Sequence, residues 1–356
     1  MIRTFCLTTE EPERWNRALP PDANVFASLE YVRICEEQAG FSARLFVAEG
    51  PSGVVAYPFF LRPVQELPFA SLLGLHSYDT YTPEYTGPMI VGEWSGELDF
   101  PESFADFCRE QEIVAEFAHL NPWHVPETLL DPAGVEHNRD IVYVDLTWNE
   151  ERIWAKSLTS DCRRQFKQSQ AAGVKVRRAT TTDDIRAFHR LYTETMDRRS
   201  ALERYYFSEE YFQAFFEQMP QQAFYMLAEY QDRLVAGGIF FQDCTEIYWH
   251  LSAADMEYSQ VRPVNAYLYE TIRWALTQGK QRMLLGGGYE PNDGVFRFKA
   301  NFSPLRVPFC TYKRIHNPDL CASLEQAWSR HYPGQQSLAR YFPAYRSIPE
   351  PCPALA

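Results

Sequence analysis

The stretch 223-AFYMLAEYQDRLVAGGIFFQDCTEIYWHLSA-253 holds three runs, 223–230, 234–241 and 246–253, rich in aromatic and aliphatic residues and parted by the short polar turns 231–233 and 242–245. Connections this short join antiparallel neighbours, so the stretch reads as a three-stranded meander. Working outward, Thr182-Asp183-Asp184 opens a helix that sets Ile185, Phe188, Leu191 and Tyr192 on one face, and a second helix covers 208–219. Before them, helical character over 153–172 stops at Gly173, and 174–178 alternates like a strand. After the meander come a helix over 263–278, a strand at 282–285, the glycine run Gly286-Gly287-Gly288 and a last strand over 307–314. The first half carries a looser form of this order: a helix at 29–39, paired strands at 43–48 and 54–61, a helix near 100–112 and a strand at 113–118.

A chain of 356 residues exceeds what one core ordinarily uses, so two domains are expected, with a boundary near 146–152. The division reads as 1–148, 149–317 and a tail, 318–356, that packs back on the body and ends in the Pro-rich run 349–353. Hydrophobic residues make up 46% of the chain, too many for disorder, and no run approaches the roughly 18 apolar residues of a membrane-spanning helix. The N-terminus reaches Glu10-Glu11-Pro12-Glu13 without the apolar segment of a signal peptide, which points to the cytoplasm. Eight scattered cysteines with no C-x-x-C pair suit buried thiols in a reducing compartment, and no cluster has metal-ligand spacing.

Charge is divided unevenly. Residues 1–150 carry 8 basic against 25 acidic side chains, a net −17, whereas 151–317 carry 23 against 19, a net +4. The first half repels polyanions and the second can hold a phosphate-bearing ligand. A merely solubilising acidic surface is the plain alternative.

The order helix pair, antiparallel meander, helix, strand is similar to the GNAT superfamily of N-acyltransferases. That likeness implies an α/β protein of two tandem GNAT-like domains, each a mixed or antiparallel sheet flanked by helices. More narrowly, residues 150–315 resemble the second domain of the Fem family, the FemAB- and FemX-like aminoacyltransferases. Asp161-Cys-Arg163-Arg164-Gln-Phe-Lys167 with Gly173 is similar to the basic helix and glycine turn that open that domain. Arg198, Arg204 and Tyr211-Phe212 match its next two helices, and Tyr258-Ser-x-x-Arg262-Pro-x-Asn265 precedes its following one. Phe298-Lys299-Ala-Asn-Phe302 looks like the family's Phe-Lys-x-x-Phe signature; 116–122 and Thr86-Gly87-Pro88 are weaker echoes in the first half.

The resemblance implies an aminoacyl-tRNA-dependent transferase that forms an amide bond on a small amine or peptide acceptor. Aminoacyl-tRNA is then the co-substrate, no cofactor is needed, and the site lies in a groove between the domains with Lys299 near its centre. Arg33, on the 29–39 helix, is the nearest basic residue to the family's usual diphosphate-holding position. The acidity of that half departs from the pattern for nucleotide-linked cell-wall acceptors and suits a small cationic amine instead.

Transfer of an acyl group needs a polarised carbonyl, a stabilised oxyanion and an amine relieved of its proton. Lys299 can offer its charge to an oxyanion or a terminal phosphate, and the Phe298 and Lys299 backbone N–H groups can serve as oxyanion donors; the alternative is a solvated surface lysine. Arg163, Arg164 and Lys167 recur on about one helical face and can bind phosphate, or form a solvated basic face. By resemblance, Arg198, Arg204, Tyr258, Arg262, Asn265 and Tyr289 line the substrate groove. Asp79 and Glu84, in a Tyr-rich loop, can bind an acceptor ammonium, though a turn-forming aspartate is an equal reading. His250, among aromatics, reads as a core histidine before a general base. The glycine run lacks a phosphate-loop pattern and reads as a place where backbone passes close to a neighbour.

Two rivals stand beside this reading. Acyl-CoA can be the donor, although the stretch Ser259-Gln-Val-Arg-Pro-Val-Asn265 lacks the glycines of the superfamily's pyrophosphate loop. A non-catalytic ligand-binding protein of the same fold is the other.

Overall fold

The computed structural model describes residues 2–70, 76–94, 96, 98–123, 127–290, 292–335 and 341–348. The Pro-rich run 349–353 lies outside them. In chain order the elements are β1 (Arg3–Thr8), α1 (Pro12–Ala18), α2 (Leu29–Ala39), β2 (Ser42–Glu49), β3 (Gly53–Pro63), β4 (Tyr78–Tyr81), β5 (Met89–Gly92), α3 (Phe100–Glu110), β6 (Ile113–His119) and β7 (Val135–Asp145). Then come α4 (Glu150–Arg152), α5 (Ser160–Ala172), β8 (Lys175–Arg178), α6 (Thr182–Arg198), α7 (Glu209–Gln218), β9 (Ala223–Tyr230), β10 (Arg233–Gln242) and β11 (Glu246–Ala254). The chain finishes with α8 (Pro263–Thr277), β12 (Arg282–Gly286), α9 (Gly294–Ala300), β13 (Arg306–Ile315) and α10 (Pro318–His331).

Two compact units result: Met1–Asn138 with Phe309–Ala356, and Arg139–Pro308. The linear division drawn from sequence fell at 148 and 317. The last strand belongs with the first unit because Thr311 to Ile315 pair antiparallel with His119 to Ala115 of β6, a register that no local pattern announces.

In the first unit, β1, β2, β3 and β4 follow one another antiparallel, β5 pairs with β3, and β4 runs parallel to β6. Strand alternation sorts the side chains of β3. Tyr57 and Phe59 pack on Phe104 of α3, at 4.9 and 5.4 Å between ring centroids, while Phe60 faces Tyr81. Helix α10 joins a separate cluster in which Leu324 and Trp328 pack with Val64, Phe69, Val114 and Tyr345. The Trp328 indole N–H donates to the Ser347 carbonyl at 2.7 Å, so the aromatic tail is part of this unit's core.

In the second unit, β8, β9, β10 and β11 are antiparallel in order, β11 meets β12 in parallel, and β12 pairs antiparallel with β7. The meander stands where the sequence put it. Phe240 packs on Tyr267 of α8 and its neighbour Phe241 on Phe215 of α7, so helices cover both faces. The helix expected over 153–172 is broken: a π-helical turn over Ile153–Ser157 ends at Leu158, and Thr159 caps a new helix through the Cys162 N–H.

Among the described residues, no helix is long and apolar enough to cross a membrane.

Candidate active site

The parallel pair of the second unit stops early. Glu246, Ile247 and Tyr248 of β11 face Arg282, Met283 and Leu284 of β12, and there the pairing ends although β11 runs on to Ala254. Two features part the strands. Opposite β10, the register steps from Ile239–Leu251 to Phe240–Trp249, which leaves His250 as an extra residue, a β-bulge that bends β11. On the other side, Gly286 takes a left-handed φ of 80° and turns β12 into the glycine run. Trp249 is the first residue of β11 beyond the last pair.

Lys299 lies against this tryptophan. Its Nζ sits 5.3 Å from the centre of the Trp249 ring and donates to the Gly287 carbonyl at 2.7 Å. Phe298 packs between Trp249 and Phe302, at 6.4 and 5.4 Å between centroids. Phe298 and Lys299 both belong to the helix α9. The Phe298 and Lys299 N–H groups, five and six residues into α9, bond back along the helix and are not presented as oxyanion donors. The lysine side chain is what this segment offers.

Asp293 fixes where α9 begins. Its carboxylate accepts from the Phe296 and Tyr289 N–H groups, each at 2.7 Å, and from Glu290 N–H at 3.2 Å. These backbone donors, that of Phe296 foremost, hold its carboxyl below the usual aspartate value. The glycines make room for these contacts. A Cβ on Gly288 would stand 2.1 Å from Asp293 Oδ1, and one on Gly287 would stand 2.8 Å from Arg139 Cδ. Arg139 in turn donates to the Gly288 carbonyl. Trp249, Arg139 and Asp293 went unmarked in the sequence; only Asp293, an N-cap residue before a short apolar run, left a local signal.

The start of α8 has no glycine. Pro263 has no N–H, and Arg262 before it adopts a left-handed φ of 54° with no side-chain cap on the helix. The Arg262 Nε is buried without a hydrogen-bond partner. Asn265 is buried and its amide faces the Cys162 sulfur at 3.9 Å. The Cys162 thiol itself is pushed up to about 12, chiefly by burial, which leaves it inert. Tyr258 turns towards Tyr230 and Arg233, at 5.9 and 5.2 Å. Tyr289 is 65% exposed beside the glycine run.

The remaining basic residues are dispersed. Arg163 donates to the carbonyls of Trp154 and Leu158 and so staples the π-helical turn. Arg164 pairs with Asp161 on the surface. Lys167 stands over Trp154 at the rim of a separate cleft of about 600 Å³, lined also by Glu150, Phe166, Tyr269 and Arg273. Arg198 donates to the Ala254 carbonyl at 2.9 Å, and Arg204 lies over Tyr205. His250 is half-buried and meets the Phe241 ring edge-on at 5.0 Å between centroids.

In the first unit, Arg33 donates to the Thr9 carbonyl, and Glu84 is half-buried. Asp79 is on β4, not in a loop, and is fully buried; its two oxygens take Arg346 and the Tyr345 hydroxyl. That carboxylate is occupied by the protein itself, so it is not an ammonium site.

Residues 156–300 match the acetyltransferase (GNAT) domain model. The fold is that of a GNAT acyltransferase. No curated protein matches the sequence. Among solved structures, FemX is 13% identical, with a TM-score of 0.69 over 91% of this chain and 100% of that one. The C-terminal domain of a candidate lysylphosphatidylglycerol synthetase from Agrobacterium fabrum is 14% identical, with a TM-score of 0.55 over 90% and 96%. A tandem GNAT protein from the clavulanic acid biosynthesis pathway is 9% identical, with a TM-score of 0.53 over 89% and 99%. At these identities the likeness is one of fold.

Proposed function

We propose that the protein is an aminoacyl-tRNA-dependent aminoacyltransferase that forms an amide bond on a small amine or peptide acceptor. The observation that carries this reading is a gap between β11 and β12 that has a lysine at its edge, with Arg262 and Pro263 rather than a glycine loop at the start of α8. Lys299 supplies one fixed positive charge where a carbonyl oxygen gains negative charge. The acceptor amine attacks the ester carbonyl and the C–N bond forms. The C–O bond to the tRNA ribose then breaks, and the amine's proton ends on the departing oxygen. Arg262, with an unmet Nε–H, suits a phosphate of the tRNA end. The net −17 of residues 1–150 favours a cationic acceptor, and the donor's availability sets the reaction in the cytoplasm.

A second reading, an acyl-CoA N-acyltransferase, is favoured by the acetyltransferase model that matches 156–300. Titration with charged tRNA and with acetyl-CoA, each over a salt series, separates the two. The first reading expects saturable tRNA binding that weakens steeply with salt, and no acetyl-CoA binding. Acetyl-CoA binding alone would replace it with the second. Binding of neither would leave a non-catalytic ligand-binding protein.

A further inference from the structure

The first unit contains a buried group of charges that does not balance. Arg62 of β3 faces Asp79 of β4 in register, and the C-terminal segment brings Arg346 to the same place. Asp79 is spent: Arg346 Nε and the Tyr345 hydroxyl take its two oxygens, and Arg346 Nη2 goes to the carbonyls of Arg62 and Pro63 at 3.1 and 2.8 Å. Arg62 is left out. It is only 9% exposed, its guanidinium lies over the Tyr81 ring at 5.3 Å, and its Nε and Nη2 have no hydrogen-bond partner. Among the described residues, the buried Arg62 and the part-buried Arg346 thus share one carboxylate, an excess of one positive charge.

An uncompensated buried charge with unmade donors is costly, so the arrangement calls for a partner. The pattern of the unmade bonds says which kind. Nε–H and Nη2–H are the two parallel donors along one edge of the guanidinium, the edge that grips a planar oxyanion in a bidentate pair. One excess charge matches one carboxylate. The surroundings are aromatic: Tyr81 stacks on Phe60 and on Phe117, at 6.2 and 6.5 Å between centroids. Burial first, and then Arg346, lowers the Arg62 pKa against the opposing pull of Asp79, whose oxygens are already hydrogen-bonded elsewhere.

We propose that Arg62 marks a binding site in the first unit for a carboxylate carried on an apolar or aromatic body, taken by the Nε/Nη2 edge beside the Tyr81 ring. This assigns a ligand class, not a step of the transfer reaction, and stands whether or not that reaction is the one proposed above.

The test is the melting temperature and calorimetric titration of the full chain with sodium benzoate, acetate and inorganic phosphate, against chloride at equal ionic strength. Benzoate should bind saturably and raise the melting temperature, acetate more weakly. Arg62→Met should abolish the effect. Arg62→Lys, which keeps the charge and loses the fork, should weaken it at least about tenfold and serves even if the methionine variant fails to fold. Lys299→Ala should bind benzoate as the parent does, which separates this site from the transfer chemistry. No stabilisation beyond chloride, or equal stabilisation of parent and both variants, would overturn the proposal. Binding of phosphate alone would overturn the carboxylate assignment.

Discussion

Among the described residues, each unit has one pair of neighbouring parallel strands joined through a crossover helix: β4 and β6 across α3 in the first, β11 and β12 across α8 in the second. The two pairs part company at the same stage of the plan. In the first unit, pairing holds from Tyr78 to Tyr81 against Ile113 to Phe117, and the strands are bridged again at Thr86–Leu120. Tyr81 and Phe117 stack at the junction with His119 edge-on to both, and Glu116 accepts from Tyr57 at 2.8 Å and meets His316 at 3.0 Å. In the second unit, three pairs form, a bulge and a left-handed glycine intervene, and Trp249 and Lys299 stand at the gap. One fold thus serves two ends. Where the junction is sealed, aromatic rings close it and Glu116 is taken up by Tyr57 and His316; where it is open, a lysine stands at the gap.

The largest effect expected from that contrast is on stability in the sealed unit. Asp79→Asn leaves Arg62 and Arg346 buried with no carboxylate between them. Loss of one member of such a buried group costs about 3–5 kcal/mol. Urea unfolding should show that loss, while the fraction still folded keeps its turnover. A matching loss of kcat would break the division of labour.

Lys299→Ala tests the open unit from the other side. Removal of one preorganised oxyanion-stabilising group lowers kcat by about 10²–10³-fold. The melting temperature should stay close to the parent's, since a partly exposed lysine carries little stability. Unchanged turnover would move the chemistry away from α9.

How much of this contrast the sequence shows depends on the range of the contacts involved. The meander, the stop at Gly173 and the capped start of α6 are written in adjacent residues, and the structure has them. The Phe298–Lys299 segment stood out by resemblance, though its helix did not. Asp79 misled because its partner Arg346 lies 267 residues away, and β13 because its pairing with β6 is equally remote. Trp249 gave no sign either: an aromatic residue in an apolar strand looks the same whether the neighbouring strand stays or leaves.

A smaller effect is expected at the glycine run. In Gly288→Ala the new Cβ lies 2.1 Å from Asp293 Oδ1, so the carboxylate must leave the start of α9. The helix then loses a cap worth about 1 kcal/mol. Displacement of Lys299 should cost about tenfold in kcat/KM. Asp293→Ser, which can still cap, should keep most of the activity. Equal losses in both would mean that the loop itself, not the position of the helix, is what matters.

The smallest effect concerns pH and the outer edge of the second unit. Asp184 closes a capping box with Thr181 at the start of α6 and accepts from Arg177 at 2.7 Å, while Arg177 also reaches Glu229 at 2.8 Å. The Arg177 hydrogen bond is the main cause that holds the Asp184 carboxyl below its ordinary value. A depressed carboxyl stabilises the fold when ionised. Its contribution is therefore complete above the unfolded value near 3.8 and is lost as pH falls through the lower folded one. Asp184→Asn should remove about 1 kcal/mol at neutral pH, the worth of such a cap, and should flatten the acid limb of the stability curve below about pH 4. Turnover should not change, because this edge is held by the same self-directed pairing that seals the first unit; a fall in activity at unchanged stability would show that the open unit reaches further than β11 and β12.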